Sequence, residues 1–154
     1  MEGVSKGLEQ LFTEANVEYD VSEVEGSDTW KLQTEDKRLT VYLRDFIGIS
    51  RELTGQFDAV FDRGALEAIR ESDRPGYIST VRDLLKEDFV YILCCYDYKP
   101  EDYRTTTPVP PQMVEELFEE FATVELLARQ REEERAIKWN IPSLTRNTFL
   151  IKRK

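Results

Sequence analysis

The sequence contains no histidine. That absence removes the serine and cysteine hydrolase arrangements that need an imidazole base, and with them the His-based zinc sites. Chemistry on this chain must use carboxylates and guanidinium groups, or an electrophile carried in by a cofactor. Glycine is sparse as well, with seven residues and no GxG spacing anywhere. Cysteine is limited to Cys94 and Cys95, adjacent in an apolar run. Neighbours on a strand point to opposite faces, so a disulfide between them is geometrically poor and the pair reads as reduced, packed thiols. No apolar run approaches the roughly 20 residues of a membrane-spanning helix, and no positive-then-apolar signal pattern opens the chain. A cytoplasmic location is expected. Basic clusters are lacking apart from the Lys152-Arg153-Lys154 tail, and a net charge of -10 with a pI near 4.7 argues against a nucleic-acid partner.

What is present suits one domain spanning 1–154, since 154 residues at 40% hydrophobic and 11% aromatic can build an ordinary core. The most informative stretch is Phe57 to Leu66, FDAVFDRGAL. Its first half is short, apolar and carries aromatic and β-branched residues, as a buried central strand should. Asp62, Arg63 and Gly64 follow at once, before a helical-looking segment from Ala65. A strand therefore delivers a carboxylate, a guanidinium and a glycine to the edge of a sheet where open α/β folds bind ligands.

Along the rest of the chain, Ser5 can cap a first helix with a Leu8, Leu11, Phe12 and Ala15 stripe. Glu18 to Asp28 reads as a loop. Thr29 to Gln33 and Arg38 to Leu43 read as strands, the second with Leu39, Val41 and Leu43 alternating. Ser72-Asp73-Arg74-Pro75 starts a helix carrying Tyr77, Ile78, Val81, Leu84 and Leu85 at helical spacing. Phe89 to Cys95 is continuously apolar, the mark of a strand covered on both faces. Tyr96 to Pro111 is the longest irregular stretch, of the kind that forms lids and binding loops. Met113, Val114, Leu117, Phe118 and Phe121 make a further helix stripe, with a glutamate face that reads as solvated. Thr123 to Leu127 and Asn147 to Lys152 read as strands around an acidic-basic segment from Gln130 to Lys138. Strands alternating with helices argue an α/β domain with a mostly parallel sheet and an antiparallel pair at its C-terminal edge.

Taken together, FDAVFDRGAL, the Tyr77 helix, Val90-Tyr91-Ile92-Leu93-Cys94, Pro108-Val109-Pro110, the segment from Glu133 to Trp139 and Phe149-Leu150-Ile151 resemble the thiopurine S-methyltransferase family of the animal type. The resemblance runs nearly end to end. It implies a class I methyltransferase (Rossmann-like) sheet with helices on both faces and strand order 3-2-1-4-5-7-6, the cofactor S-adenosylmethionine, and methyl transfer to the sulfur of a small aromatic or heterocyclic thiol. By position, Glu2 corresponds to the residue that bonds the ribose hydroxyls, and Asp45 and Phe46 to the adenine contacts. Asp45 stands where a small hydroxyl residue is expected, yet a carboxylate can accept from an adenine amino group. Arg63 corresponds to the arginine of the family's DRG motif, beside cofactor and substrate, and Arg135 to a second arginine near the substrate. Arg63 and Arg135 are the expected catalytic residues, Glu2, Asp45, Phe46 and Arg63 the expected cofactor contacts, and no metal is implied.

Other readings of the same residues are structural. Asp62 and Arg63 could form an ion pair that caps the following helix, Arg135 could pair with Glu132 or Glu134 at the surface, and Trp139 could be core. The family fold opens with a strand and a glycine loop that have no counterpart before Glu2. The chain is therefore expected to correspond to the carboxyl-terminal two-thirds of the family, as a truncated gene model, a splice form or a fragment. The expected partner is a small-molecule thiol, with neither nucleic acid nor membrane, in a protein monomeric when complete and prone to edge-strand association as a fragment. Halide or simple thiol methyl transfer on the same fold, and an inactive piece acting only by protein interaction, are the alternatives.

Overall fold

The computed structural model describes residues 10, 12–99 and 107–154. Ser5, Leu8 and Leu11 lie outside the described residues. Contacts divide the chain into two compact units, Met1–Asp45 and Phe46–Lys154. In the first, residues 10 and 12–15 are helical, and Phe12, 1% exposed, stacks on Tyr19 with ring centroids 4.0 Å apart. Three strands follow, β1 (Tyr19–Glu23), β2 (Trp30–Thr34) and β3 (Thr40–Leu43), antiparallel in the order β1-β2-β3. The expected loop from Glu18 to Asp28 thus contains a strand. Its residues are almost all exposed, so no buried face marks YDVSE, and pairing with β2 from Tyr19↔Thr34 to Glu23↔Trp30 makes it a strand.

In the second unit, α1 (Arg51–Thr54), β4 (Phe57–Arg63), α2 (Ala65–Ala68), a 3-10 turn at Glu71–Asp73 and α3 (Arg74–Leu84) lead into β5 (Leu85–Asp97). Then come α4 (Pro111–Phe118), β6 (Ala122–Arg131), α5 (Glu133–Trp139) and β7 (Thr145–Arg153). Four strands make one sheet in the order β4-β5-β7-β6. β4 and β5 are parallel, while β7 is antiparallel to both β5 and β6. The antiparallel C-terminal edge is therefore present, and the order matches the 4-5-7-6 half of the class I sheet. The expectation of a mostly parallel sheet is corrected: among the described residues β4–β5 is the parallel pair, and β7 runs antiparallel to both of its neighbours even though α5 lies in the connection from β6 to β7.

Register assigns the faces. Tyr91, Leu93 and Cys95 of β5 lie on one side with Phe149 and Ile151 of β7, and onto them pack Leu66 of α2, Tyr77, Ile78 and Val81 of α3, and Val114 and Phe118 of α4. Burying each such side chain contributes about 1.5–3 kcal/mol, so this layer is the main core. The opposite side carries Phe61, Arg63, Val90, Ile92, Cys94 and Tyr96. Helix α5 covers only its carboxyl end, where Tyr96, Tyr98, Ala136, Ile141 and Leu144 form a smaller cluster. Helices thus lie on both faces, but cover them unequally. Val90 is 40% and Phe61 69% exposed, so the reading of Phe89 to Cys95 as covered on both faces holds for the α3 side alone. Cys94 and Cys95 are free thiols on opposite sides of β5. Among the described residues no helix is long and apolar enough to cross a membrane.

Candidate functional site

The carboxyl ends of β4 and β5 gather the buried Asp62, Glu67 and Arg74. Alternation on β4 turns Asp62 inward and Arg63 outward, and Gly64, at φ +86°, breaks the strand with a conformation that a side chain would strain. The chain thereby folds straight into α2, whose first turn is capped by Asp62: Oδ1 accepts from the Ala65 N–H at 3.1 Å. Asp62 Oδ2 accepts from the hydroxyls of Tyr77 and Tyr91, each at 2.7 Å. Burial first, and then the Asp62 charge, raise both tyrosines above the usual phenol range, so they remain donors. Among the described residues no ion pair joins Asp62 to Arg63. The aspartate does cap the helix, as its structural reading has it, but the arginine faces elsewhere.

Arg63 lines a pocket of about 410 Å³ with Phe46, Phe57, Val60, Phe61 and Tyr77. Its walls come from β4, α2, α3 and Phe46, beside the edge strand of the sheet. The Phe46 ring lies 4.9 Å from that of Tyr77 and is still 37% exposed. Two of the expected cofactor residues, Phe46 and Arg63, are thus brought together. Asp45 is the last residue of the first unit and is exposed, its carbonyl accepting from Arg44 Nε at 3.3 Å. Glu2 lies outside the described residues.

Arg135, on α5, sits over two aromatic rings, with its guanidinium carbon 5.3 Å from the Tyr96 centroid and 5.9 Å from that of Trp139. Such contacts hold a cation in place at about 0.5–2 kcal/mol while leaving its N–H groups for a ligand. Its reading as a surface partner of Glu132 or Glu134 is not what is found: among the described residues no ion pair joins it to either, and Glu132 pairs with Arg146 at 3.1 Å. Arg63 is in register with Cys94, and Tyr96 is two residues further along the same face. Both arginines therefore stand on one side of the sheet, at its carboxyl end.

Two charged residues here escaped the sequence reading. Arg74, 1% exposed, donates to the carbonyls of Thr107 at 3.1 Å and Pro108 at 3.4 Å. Glu67, 6% exposed, accepts from the Tyr96 N–H. Desolvation raises its carboxyl above the usual range, with Asp62 adding to the effect and the Tyr96 N–H, Arg74 and Arg135 opposing it. The sign of the consequence is fixed by linkage. A folded pKa above the unfolded value means that the native chain holds the proton more tightly, so stability is greatest below the ordinary value of 4.5 and falls as pH rises through the folded pKa. Urea melts of wild type and Glu67→Gln across that window should show wild type losing stability relative to the variant as pH rises. A flat difference would contradict the buried, strained carboxylate.

The sequence model of the family "Thiopurine S-methyltransferase (TPMT)" matches residues 2–154. A Danio rerio protein named "Probable thiopurine S-methyltransferase" is 31% identical over 155 residues, 95% of this chain and 64% of its own length. "Thiopurine S-methyltransferase" of Oryctolagus cuniculus is 28% identical over 153 residues, 96% of this chain and 62% of its own. The chain thus spans somewhat less than two thirds of the curated relatives it matches. Among solved structures, a Burkholderia thailandensis 1,6-didemethyltoxoflavin-N1-methyltransferase with bound S-adenosylhomocysteine overlaps 64% of this chain and 44% of its own at 15% identity, with a TM-score of 0.45.

Proposed function

This chain belongs to the thiopurine S-methyltransferase family, and on that premise we propose that it serves S-adenosylmethionine-dependent methyl transfer to the sulfur of a small aromatic or heterocyclic thiol in the cytoplasm. The single observation that carries the reading is the family match over residues 2–154, which includes both arginines found on one side of the sheet's carboxyl end. The pocket beside β4 fits the cofactor in two respects. Phe46 offers an aromatic face for a purine, and Arg63 a guanidinium for a carboxylate, in a volume of about 410 Å³; small-molecule sites run from roughly 300 to 1,000 Å³. When bound there, S-adenosylmethionine supplies an electrophilic methyl group on a sulfonium sulfur.

The chain's own residues then have two tasks. Arg63 orients an anionic group through a planar fork of donors, which a lysine cannot copy. Arg135, braced on Tyr96 and Trp139, offers positive charge to an acceptor sulfur as it becomes thiolate. Positioning and charge stabilisation suffice for attack on a sulfonium, so the lack of histidine is no obstacle.

Two measurements test this. Arg63→Ala is expected to lower kcat/KM for methyl transfer by about 10²-fold, with Arg63→Lys recovering little of it; labelled-methyl assays over a panel of aromatic thiols would show it, and equal activity of Lys and Arg would refute the bidentate role. Calorimetry of the chain with S-adenosylmethionine is expected to give binding weaker than micromolar, because among the described residues the pocket is lined from β4, α2, α3 and Phe46 alone. Micromolar affinity would mean that these walls are sufficient.

A further inference from the structure

The two buried carboxylates at the ends of β4 and β5 differ in what remains open to them. Asp62 commits both oxygens within the chain, to two tyrosine hydroxyls and to the Ala65 N–H. Glu67 commits one. Its Oε1 accepts from the Tyr96 N–H, while among the described residues nothing donates to Oε2. That oxygen faces Gly64, lying 3.8 Å from where a Cβ on the glycine would stand, and Gly64 directly follows Arg63. The Tyr96 residue that pins Glu67 through its N–H also carries Arg135 on its ring. A carboxylate oxygen with no donor among the described residues thus lies beside the Gly64 backbone, with the Arg135 guanidinium near enough to act on it, in a chain without imidazole.

We propose that Glu67 accepts the proton of the acceptor thiol, Oε2 taking it as the sulfur settles as thiolate beside Arg135. The identity of the acceptor rests on the methyl-transfer reading given above. In the step, the S–H bond breaks, its electron pair stays on sulfur, and an O–H bond forms on Glu67. Negative charge moves from carboxylate to sulfur, and no further reactant is needed. The charged and titratable groups facing Glu67 are Asp62 from β4, Arg74 from α3, Cys95 from β5 and Arg135 from α5. Burial leaves Glu67 more basic than an exposed carboxylate, the direction in which a base for a thiol gains. Glutamine keeps an oxygen for the Tyr96 N–H, so Glu67→Gln separates proton acceptance from the tie between α2 and β5.

Thiophenol binding to the whole chain, with S-adenosylhomocysteine present, tests the proposal without relying on turnover. Thiolate absorbance reports ionisation of the bound thiol, and calorimetry in two buffers of different ionisation enthalpy reports protons released. Wild type is expected to hold thiolate while releasing no proton, because Glu67 keeps it; Glu67→Gln is expected to bind undissociated thiol or to release a proton for every thiolate bound. In turnover, the loss in kcat/KM for Glu67→Gln should grow from none with the acidic pentafluorothiophenol to about 10²-fold with the weakly acidic benzyl mercaptan. The same proton balance in both proteins, an equal loss for every thiol, or no thiolate bound by wild type overturns the proposal. Thiolate held without proton release in a chain that transfers no methyl group would sink the methyl-transfer reading and leave this one standing.

Discussion

Asp62→Ala is expected to lower the unfolding free energy by about 3 kcal/mol, measured by urea denaturation. The aspartate is 4% exposed and holds three donors at once. Removing it leaves the Tyr77 and Tyr91 hydroxyls without an acceptor, at about 1–3 kcal/mol for each buried group, and uncaps α2 for about 1 more. Some of this is recovered as the tyrosines relax toward each other or admit water. Tyr91→Phe removes one donor and leaves Asp62 with the other two, so it should cost only about 1 kcal/mol. If Tyr91→Phe proved as damaging as Asp62→Ala, packing rather than the carboxylate would be holding β4, α3 and β5 together.

Arg74→Leu is expected to cost about 2–4 kcal/mol, although leucine is the more hydrophobic residue. The guanidinium is buried, donates to the Thr107 and Pro108 carbonyls, and lies 2.6 Å from Met113 Sδ. Its loss leaves two carbonyls short of a donor and takes a cation from beside the buried Glu67. Glu67 should then become harder to ionise. A double-mutant cycle with Glu67→Gln would expose the coupling, since the arginine matters less once the neighbouring charge is gone. Additive costs would show that Arg74 acts on the loop carbonyls alone.

How far the sequence carried depended on whether a residue's role was local. FDAVFDRGAL read as strand, turn and helix because the apolar run and the glycine lie within ten residues, and β4, Gly64 and α2 follow that order, but the expected buried central strand is instead an edge strand with Phe57 and Phe61 exposed. The β6–β7 antiparallel pairing was expected as a hairpin-like pair with little between its strands; the pair is there, with α5 in its connection. Asp62 as a hub was not legible, because its tyrosines lie 15 and 29 residues away. Glu67 gave even less signal. It falls in a short helix between Leu66 and Ala68, where a single glutamate looks like a solvated face, and only the return of β5 to its side buries it. Arg135 was placed through family resemblance; its rings at Tyr96 and Trp139 come from separate elements that periodicity could not join.

The place of β7 has a consequence for how the protein is made. This strand follows both β5 and β6 in the chain, yet it lies between them in the sheet. On the ribosome, β4 and β5 can pair as they emerge, but β6 has nothing to join until Thr145 to Arg153 has left the exit tunnel. Assembly of the sheet therefore waits for its last strand, and loss of Thr145 to Arg153 would cut the sheet in two instead of trimming its rim.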